Sequence, residues 1–355
     1  MIFFFKGVGK KLILKLIGLK NLLLMDTIFT VLFFTFSSLK LISDSNYNYI
    51  FHHYLNEFNK TYSMEEFDDR FNIFRNNLDF IIDHNEGNHN YTLGLNHFTD
   101  LTNSEFKNMM IDNGLLIKRS SNCHEMEFKN INLPKEIDWR DKNAVTPVKN
   151  QGSCGSCWSF SATGALEGAN AILNKDLLSL SEQQLVDCSS KYGNHGCNGG
   201  LMDDAFEYVE NYGLCLEEDY SYTASKNSCK STECKPVVNV LNCYDVPTNN
   251  ELALKEAVFN QPVSVAIEAN SMIFQHYTSG VITGDACGTK LDHGVLTVGY
   301  GNEDGIDYWL VKNSWGTSWG ENGYVKIERN DDSNSPGTCG IAMQPLYPEV
   351  KSSNN

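Results

Sequence analysis

Two thiols stand three residues apart in Gln151-Gly152-Ser153-Cys154-Gly155-Ser156-Cys157-Trp158. Three chemistries fit that spacing. Cys154 and Cys157 could join Cys188 and His195 or Cys197 around a structural zinc. They could form a redox pair, since Cys157 opens a segment with helical periodicity. Or Cys157 could be a nucleophile, its thiolate favoured by a helix N-terminus and its proton taken by a base from elsewhere.

The base separates the three. Beyond residue 133 the chain has only His195, His276 and His293. His195 sits in the polar loop Lys191–Gly196, and His276 lies among aromatic and apolar neighbours in Met272–Tyr277. His293 follows Asp292 and opens the apolar run Gly294–Tyr300. Asn313 follows a second strand-like run, Tyr308–Lys312, and precedes Ser314-Trp315-Gly316. A side-chain amide can hold the far nitrogen of an imidazole and fix its tautomer, as the third member of a triad does, and the Trp315 indole could shield that bond from water. Each histidine alone is weak; thiol, imidazole and amide together favour the nucleophile.

These groups need elements to hold them. From Ser156 to about Gly213 the pattern is helical, with Trp158, Ala162, Ala165, Leu166, Ala169, Ile172 and Leu173 on one face, and Ser181-Glu182-Gln183-Gln184 reads as a capping box. From Pro262 onward the runs Val263–Ile267, Gly294–Tyr300, Tyr308–Lys312 and Tyr324–Glu328 read as strands. A helical lobe followed by a strand lobe implies a cleft between them. Upstream, Glu66, Arg70, Phe74, Asn77, Ile81 and Asn85 recur at helical spacing, with Glu66 and Arg70 a supporting acid–base pair. A turn at Glu86-Gly87-Asn88 leads into the strand-like Tyr91–Leu95, and residues 111–131 read as a linker.

The chain has 355 residues, 41% of them hydrophobic, which excludes wholesale disorder and suggests two or three domains. A net charge of −16, concentrated beyond residue 132, gives no electrostatic footprint for nucleic acid or an anionic membrane. Lys6, Lys10, Lys11, Lys15 and Lys20 precede the apolar stretch Leu22–Phe36, with Ser37, Ser38 and Ser43 beyond it. Residues 1–43 thus read as a signal peptide or a signal-anchor, with Met25 an alternative start. Each version delivers the rest to an oxidising lumen, where the eleven cysteines can pair. Asn59-Lys60-Thr61 and Asn90-Tyr91-Thr92 are glycosylation sequons on such a route.

Taken together, the motifs resemble those of the papain family of cysteine proteases, in its cathepsin L-like branch. Cys154-Gly155-Ser156-Cys157-Trp158 with a downstream His and Asn is that family's signature. Gly196-Cys197-Asn198-Gly199-Gly200, Asp292-His293-Gly294 and Lys312-Asn313-Ser314-Trp315-Gly316 match further motifs. The stripe from Glu66 to Asn85 and Gly94-x-Asn96-x-Phe98-x-Asp100 match the family's inhibitory propeptide. The resemblance implies an α+β fold of two lobes, helical left and antiparallel β-barrel-like right, preceded by a helical propeptide domain. It divides the chain into an inhibitory domain at 46–110, an activation linker at 111–131 and a peptidase domain at 132–355.

The resemblance also assigns roles. Cys157 would be the nucleophile, a thiolate beside protonated His293, with Asn313 orienting the imidazole and Gln151 donating to the oxyanion together with the Cys157 backbone N–H. Gly199 and Gly200 would leave room for an extended peptide, with Asp292 and Trp315 flanking the site. Met202, Ala266, Leu291, Gly294 and Gln344 would line the pocket for the residue two before the scissile bond, small and uncharged enough to prefer a bulky apolar side chain. Implied bridges are Cys154–Cys197, Cys188–Cys229 and Cys287–Cys339, with Cys215–Cys234 as an extra one. Cys243 is expected as a buried thiol, and Cys123 is expected to leave with the propeptide.

The implied partners are protein and peptide substrates, the chain's own propeptide as intramolecular inhibitor, and cystatin-like inhibitors. No cofactor, metal or nucleic acid is implied, and the enzyme would be a monomer in a lysosome, an acidic vacuole or the extracellular space. Protonation of propeptide carboxylates, Asp100 among them, would loosen the inhibitor below about pH 5. A catalytically dead homologue, a stand-alone inhibitor and a secreted thiol oxidoreductase are the alternatives. The intact Cys157, His293 and Asn313 argue against the first, and residues 133–355 against the second.

Overall fold

A computed structural model describes residues 43–111 and 121–352. The targeting segment lies almost wholly outside the described residues, as does the middle of the 111–131 linker. Among the described residues no helix is long and apolar enough to cross a membrane. The chain divides into two compact units, with the boundary between Thr102 and Asn103.

In the first unit, helices α1 (Asp44–Glu57) and α2 (Met64–Glu86) each begin at a serine whose hydroxyl caps the first turn. Ser63 and Glu66 form a reciprocal capping box. Phe51, Tyr54, Phe74 and Leu78 form the buried core between the helices, with Phe67 and Phe71 packed against it. The α2 stripe has a second use. Arg70 donates to the Asp100 carbonyl (3.0 Å), and Asn77 donates to the carbonyls of Thr99 (2.8 Å) and Leu101 (2.9 Å). Asn85 donates to the Leu93 carbonyl and accepts from its N–H, pinning strand β1 (Tyr91–Leu93). Periodic polar residues here bind an irregular segment whose backbone groups would otherwise be buried without partners.

The second unit opens with α3 (Asn103–Met110), followed by the short strands β2 (His124–Glu125) and β3 (Ile137–Asp138). The helical part comprises α4 (Cys157–Asn174), α5 (Glu182–Cys188) and α6 (Met202–Tyr212). Ser181 caps α5 through the Gln184 N–H, but Gln184 spends its side chain on Tyr208, Gly213 and Cys215 instead of returning to Ser181. Only half of the expected capping box forms, because tertiary partners outcompete the local one.

The rest is mostly sheet: β4 (Val240–Asp245), α7 (Glu251–Asn260), β5 (Val263–Ile267), α8 (Met272–His276), β6 (Tyr277–Ile282), β7 (His293–Glu303), β8 (Ile306–Lys312), β9 (Tyr324–Glu328) and β10 (Leu346–Val350). Strands run in the order β6-β9-β8-β7-β5-β10-β4-β2. Pairing is antiparallel except at β6/β9 and β2/β4.

Helix α4 is buried on almost every side, which requires small residues where strands press on it. A Cβ on Gly164 would lie 2.7 Å from Leu296 of β7, and one on Gly168 would lie 2.6 Å from Pro262, just before β5. The close approach brings the N-terminus of α4 against the start of β7. There a Cβ on Gly294 would sit 3.2 Å from the Trp158 backbone.

Five disulfides close the second unit. Four are Cys154–Cys197, Cys188–Cys229, Cys215–Cys234 and Cys287–Cys339. The fifth corrects two expectations: Cys243 is not a free thiol, and Cys123 is not an unattached linker residue, because they are bonded to each other. Parallel pairing of β2 with β4, His124 opposite Tyr244 and Glu125 opposite Asp245, brings the two cysteines together.

Candidate active site

Cys157 is the first residue of α4 and the only cysteine among the described residues outside a disulfide. The hydroxyl of the preceding Ser156 makes no capping bond and lies 2.6 Å from the Tyr222 hydroxyl instead. Ser156 therefore does not cap the positive end of the helix dipole where the thiol sits. The Gly294 N–H donates to the Cys157 sulfur (3.3 Å), placing the thiol one residue from His293.

His293 and Asn313 meet because β7 and β8 are antiparallel neighbours with Leu296 opposite Lys312. The end of β8 thus lies beside the start of β7. His293 Nε2 and Asn313 Oδ1 are 2.8 Å apart. The same oxygen accepts the Ser314 N–H (2.7 Å). An oxygen accepting from both sides leaves the proton on Nε2 and the lone pair on Nδ1, the nitrogen able to act as base. The Trp315 ring lies 4.6 Å from the imidazole and tilted 33° to it, and Trp315 is itself fully buried. Burial pushes His293 down to about 4, with the Asn313 bond opposing. The imidazole of this covered site is accordingly neutral at neutral pH.

Gln151 reaches the site from a loop clamped on both sides. Its backbone N–H donates to the Ser314 carbonyl (2.8 Å), and its side-chain carbonyl accepts from the Ser314 hydroxyl (2.7 Å). Nearby, Lys149 bridges the buried carboxylates of Glu167 (3.1 Å) and Glu182 (2.7 Å), anchoring the loop to α4 and α5. The Gln151 amide then donates to the carbonyls of Cys154 (3.0 Å) and Met110 (3.3 Å). Met110 ends α3, whose Phe106 packs edge-on against Trp315 at 5.2 Å. Asn103 of α3 also donates to the Asn270 carbonyl (3.2 Å) and the Gln275 amide oxygen (3.1 Å). Cys157, His293 and Phe106 are fully buried, and Met110 nearly so, so residues 103–111 cover the site.

The remaining candidates divide into rim and core. Asp292 accepts from Ala269 N–H (2.8 Å) and from the Asn270 amide, while burial pushes its carboxyl up to about 6. Met202 and Ala266 are buried in the main core cluster, with Leu291 packed against it, and Gln344 is half-buried. Gly199 takes φ +98°, a left-handed conformation that disfavours a side chain. A Cβ on Gly200 would sit 2.2 Å from Asn194 Oδ1 and 2.8 Å from Trp158. Glycine is thus demanded at 200 by packing behind it, a reason the open-cleft argument does not supply. Of the other histidines, His195 is exposed and His276 is fully buried. Sequence reasoning did not single out α3 or Ser314. Ser314 was available as the neighbour of Asn313, whereas nothing local marks α3 as a cover.

The zinc and redox chemistries lose their ligands here. Cys154, Cys188 and Cys197 are all in bridges, two of them to partners outside the Cys-x-x-Cys pair. What remains is a thiol at a helix N-terminus, an imidazole with its tautomer set, and an amide donor.

Comparison with known proteins agrees. Residues 133–349 match the family model described as papain family cysteine protease, and residues 51–106 match the cathepsin propeptide inhibitor domain. The chain is 51% identical over 299 residues to germination-specific cysteine protease 1 of Arabidopsis thaliana, covering 81% of this chain and 79% of that protein. It is 48% identical over 303 residues to a KDEL-tailed cysteine endopeptidase of the same plant, covering 82% and 83%. Among solved structures, the recombinant stem bromelain precursor aligns with TM-score 0.80 and 40% identity over 86% of this chain and 99% of that one. The proform of the ragweed pollen protease Amb a 11 aligns with TM-score 0.78, also at 40% identity, over 86% and 95%. The chain therefore belongs to the papain family of cysteine proteases and carries that family's inhibitory propeptide ahead of the peptidase.

Proposed function

We propose that this endopeptidase uses Cys157 as nucleophile and is held inactive by residues 103–111 until the propeptide is removed. The observation that carries the reading is the Gln151 amide, the donor assigned to the oxyanion, which donates to the Met110 carbonyl instead. In the uncovered enzyme His293 Nδ1 takes the Cys157 proton, and the ion pair forms once water reaches it. The thiolate attacks the scissile carbonyl, and Gln151 with the Cys157 backbone N–H stabilises the oxyanion. His293 returns the proton to the leaving amine. Water, deprotonated by His293, then hydrolyses the thioester and restores the thiol. Asn313 keeps Nε2–H oriented throughout.

Buried Met202 and Ala266, half-buried Leu291 and Gln344, and side-chain-free Gly294 favour a bulky apolar residue two before the scissile bond. A peptide library should rank Leu or Phe above Arg there; the reverse ranking would refute the pocket assignment. We place the inhibitor at 46–110, the linker at 111–131 and the peptidase at 132–355. Five disulfides, and exposed Asn59 and Asn90 in sequons, fit passage through the secretory pathway to an acidic compartment or the exterior. The catalytic assignment is tested with Gln151→Ala in the activated enzyme. Loss of one oxyanion donor should lower kcat by roughly 100- to 1,000-fold. A kcat within threefold of wild type would refute the role.

A further inference from the structure

Residues 121–129 form a strap along the edge of the second unit's sheet. Asn122 donates to Glu207 of α6 (2.8 Å), β2 pairs with β4, the Met126 N–H donates to the Asp245 carbonyl (2.8 Å), and the Lys129 N–H donates to the Glu256 carboxylate (3.2 Å). Met126 is buried. Within this strap Cys123 is bonded to Cys243 of β4, a partner 120 residues away in the chain. The peptidase family match begins at residue 133 and the inhibitor match ends at 106. Cys123 therefore falls on the inhibitor side of a cut near residue 133, and Cys243 on the enzyme side.

We propose that the Cys123–Cys243 bridge keeps the propeptide covalently attached to the enzyme after the activating cut. Near neutral pH, where the inhibitor stays folded, inhibition then ends through a second cut N-terminal to Cys123 or through reduction of the bridge. This rests on the reading that residues 103–111 occlude the site. Hydrolysis of one peptide bond near 133 normally frees an inhibitor to diffuse away. With the bridge intact the released end stays tethered, and its effective concentration is on the order of millimolar whatever the dilution. An inhibitor binding more tightly than that remains seated. A second cut before Cys123 frees residues up to the cut and leaves the strap on β4 as a disulfide-linked light chain. Reduction takes two thiol equivalents, from a dithiol protein or two small thiols. The S–S bond breaks, Cys123 and Cys243 each gain a hydrogen, and the donor leaves as a disulfide. Both cysteines of this bridge are half-buried; the bridges through Cys154, Cys215 and Cys339 each hold a buried cysteine, and Cys188–Cys229, with Cys229 exposed, is the more open, so a reductant has access to both it and Cys123–Cys243.

The test uses the full-length zymogen and a Cys123→Ser/Cys243→Ser double variant, activated at pH 4.5 without reductant and alkylated. Non-reduced peptide mapping of the wild type should join a Cys123 peptide to a Cys243 peptide, both before activation and in the processed enzyme. Alkylated Cys123 and Cys243 in the zymogen, or processed enzyme lacking any Cys123 peptide, would overturn the tether and leave occlusion by 103–111 untouched. Activity is then compared after 100-fold dilution and return to near-neutral pH, where the inhibitor unit is folded. In enzyme cut only near 133, dithiothreitol should raise wild-type activity at least tenfold more than it raises the double variant's, which also corrects for any effect on Cys157. Equal stimulation with the bridge mapped intact would show that a tethered propeptide does not inhibit, and would count against the occlusion reading. The mapping needs only wild-type protein, so the bridge is tested even if the variant fails to fold.

Discussion

His97 should make the inhibitor unit acid-labile, by an amount the structure sets. Burial pushes its imidazole down to about 4, the Lys60 ammonium pushes the same way, and Asp100 opposes it. Lys60 is fixed there, donating to the His97 carbonyl (2.9 Å) and to the Asp100 carboxylate (3.0 Å). In the unfolded chain an imidazole titrates near 6.5. Between those values the unfolded state holds a proton that the folded state lacks, so stability falls as pH drops. The contribution is whole above about pH 6.5 and gone by about pH 4. Each tenfold difference in proton affinity between the two states is worth roughly 1.4 kcal/mol, so the whole contribution is about 3 kcal/mol. That is a large share of a small unit's stability. Hydrogen exchange of the α2 amides in a Cys157→Ser zymogen, which cannot process itself, reads this directly. Corrected for intrinsic rates, protection should fall between pH 7 and pH 4 by roughly 100-fold more in the parent than in a His97→Gln variant. Equal losses in the two proteins would refute the role of His97 and return the acid response to the carboxylates.

Other perturbations have defined outcomes. Asn313→Ala removes the bond that holds Nε2–H, and steady-state kinetics should show kcat down roughly 10- to 100-fold with KM little changed, the effect of about 1–3 kcal/mol lost in the transition state. Gly200→Ala drives a Cβ into Asn194 and Trp158 and should lower the stability of the mature enzyme by about 1–3 kcal/mol in denaturant unfolding. Replacing both Cys215 and Cys234 by Ser opens a loop spanning 19 residues and should cost about 3 kcal/mol in the same assay, on the chain-entropy account.

What could be read from the chain depended on how local the signal was. The Cys157, His293 and Asn313 set was legible because each residue sits at a boundary the pattern marks: a helix start, a strand start, a strand end. The antiparallel register of β7 and β8 then makes His293 and Asn313 neighbours, and the approach of α4 to β7 adds Cys157. The α2 stripe was legible as helix, but the reason for its Asn77 and Asn85, binding the backbone of residues 93–101, is a tertiary fact. The Ser181 capping box was half right, since helix propensity rules do not foresee that Gln184 meets Tyr208. The Cys123–Cys243 bridge was missed because no spacing rule links residues 120 apart. Parity held the clue: with Cys157 set aside as the nucleophile, the other ten of eleven cysteines could all pair. Helix α3, assigned to the inhibitor, packs with the second unit, its apolar Phe106 buried against Trp315, and no local pattern marks that contact.

The central claim, that Cys157 is the nucleophile and is covered until activation, has one direct test. The zymogen and the acid-activated enzyme are treated with an epoxide-bearing peptide inhibitor and mapped by mass spectrometry. The expected result is no label on the zymogen at neutral pH and one label on the activated enzyme, at Cys157, with Cys154 still bridged to Cys197. Label at Cys154, or equal labelling of Cys157 before and after activation, would contradict it.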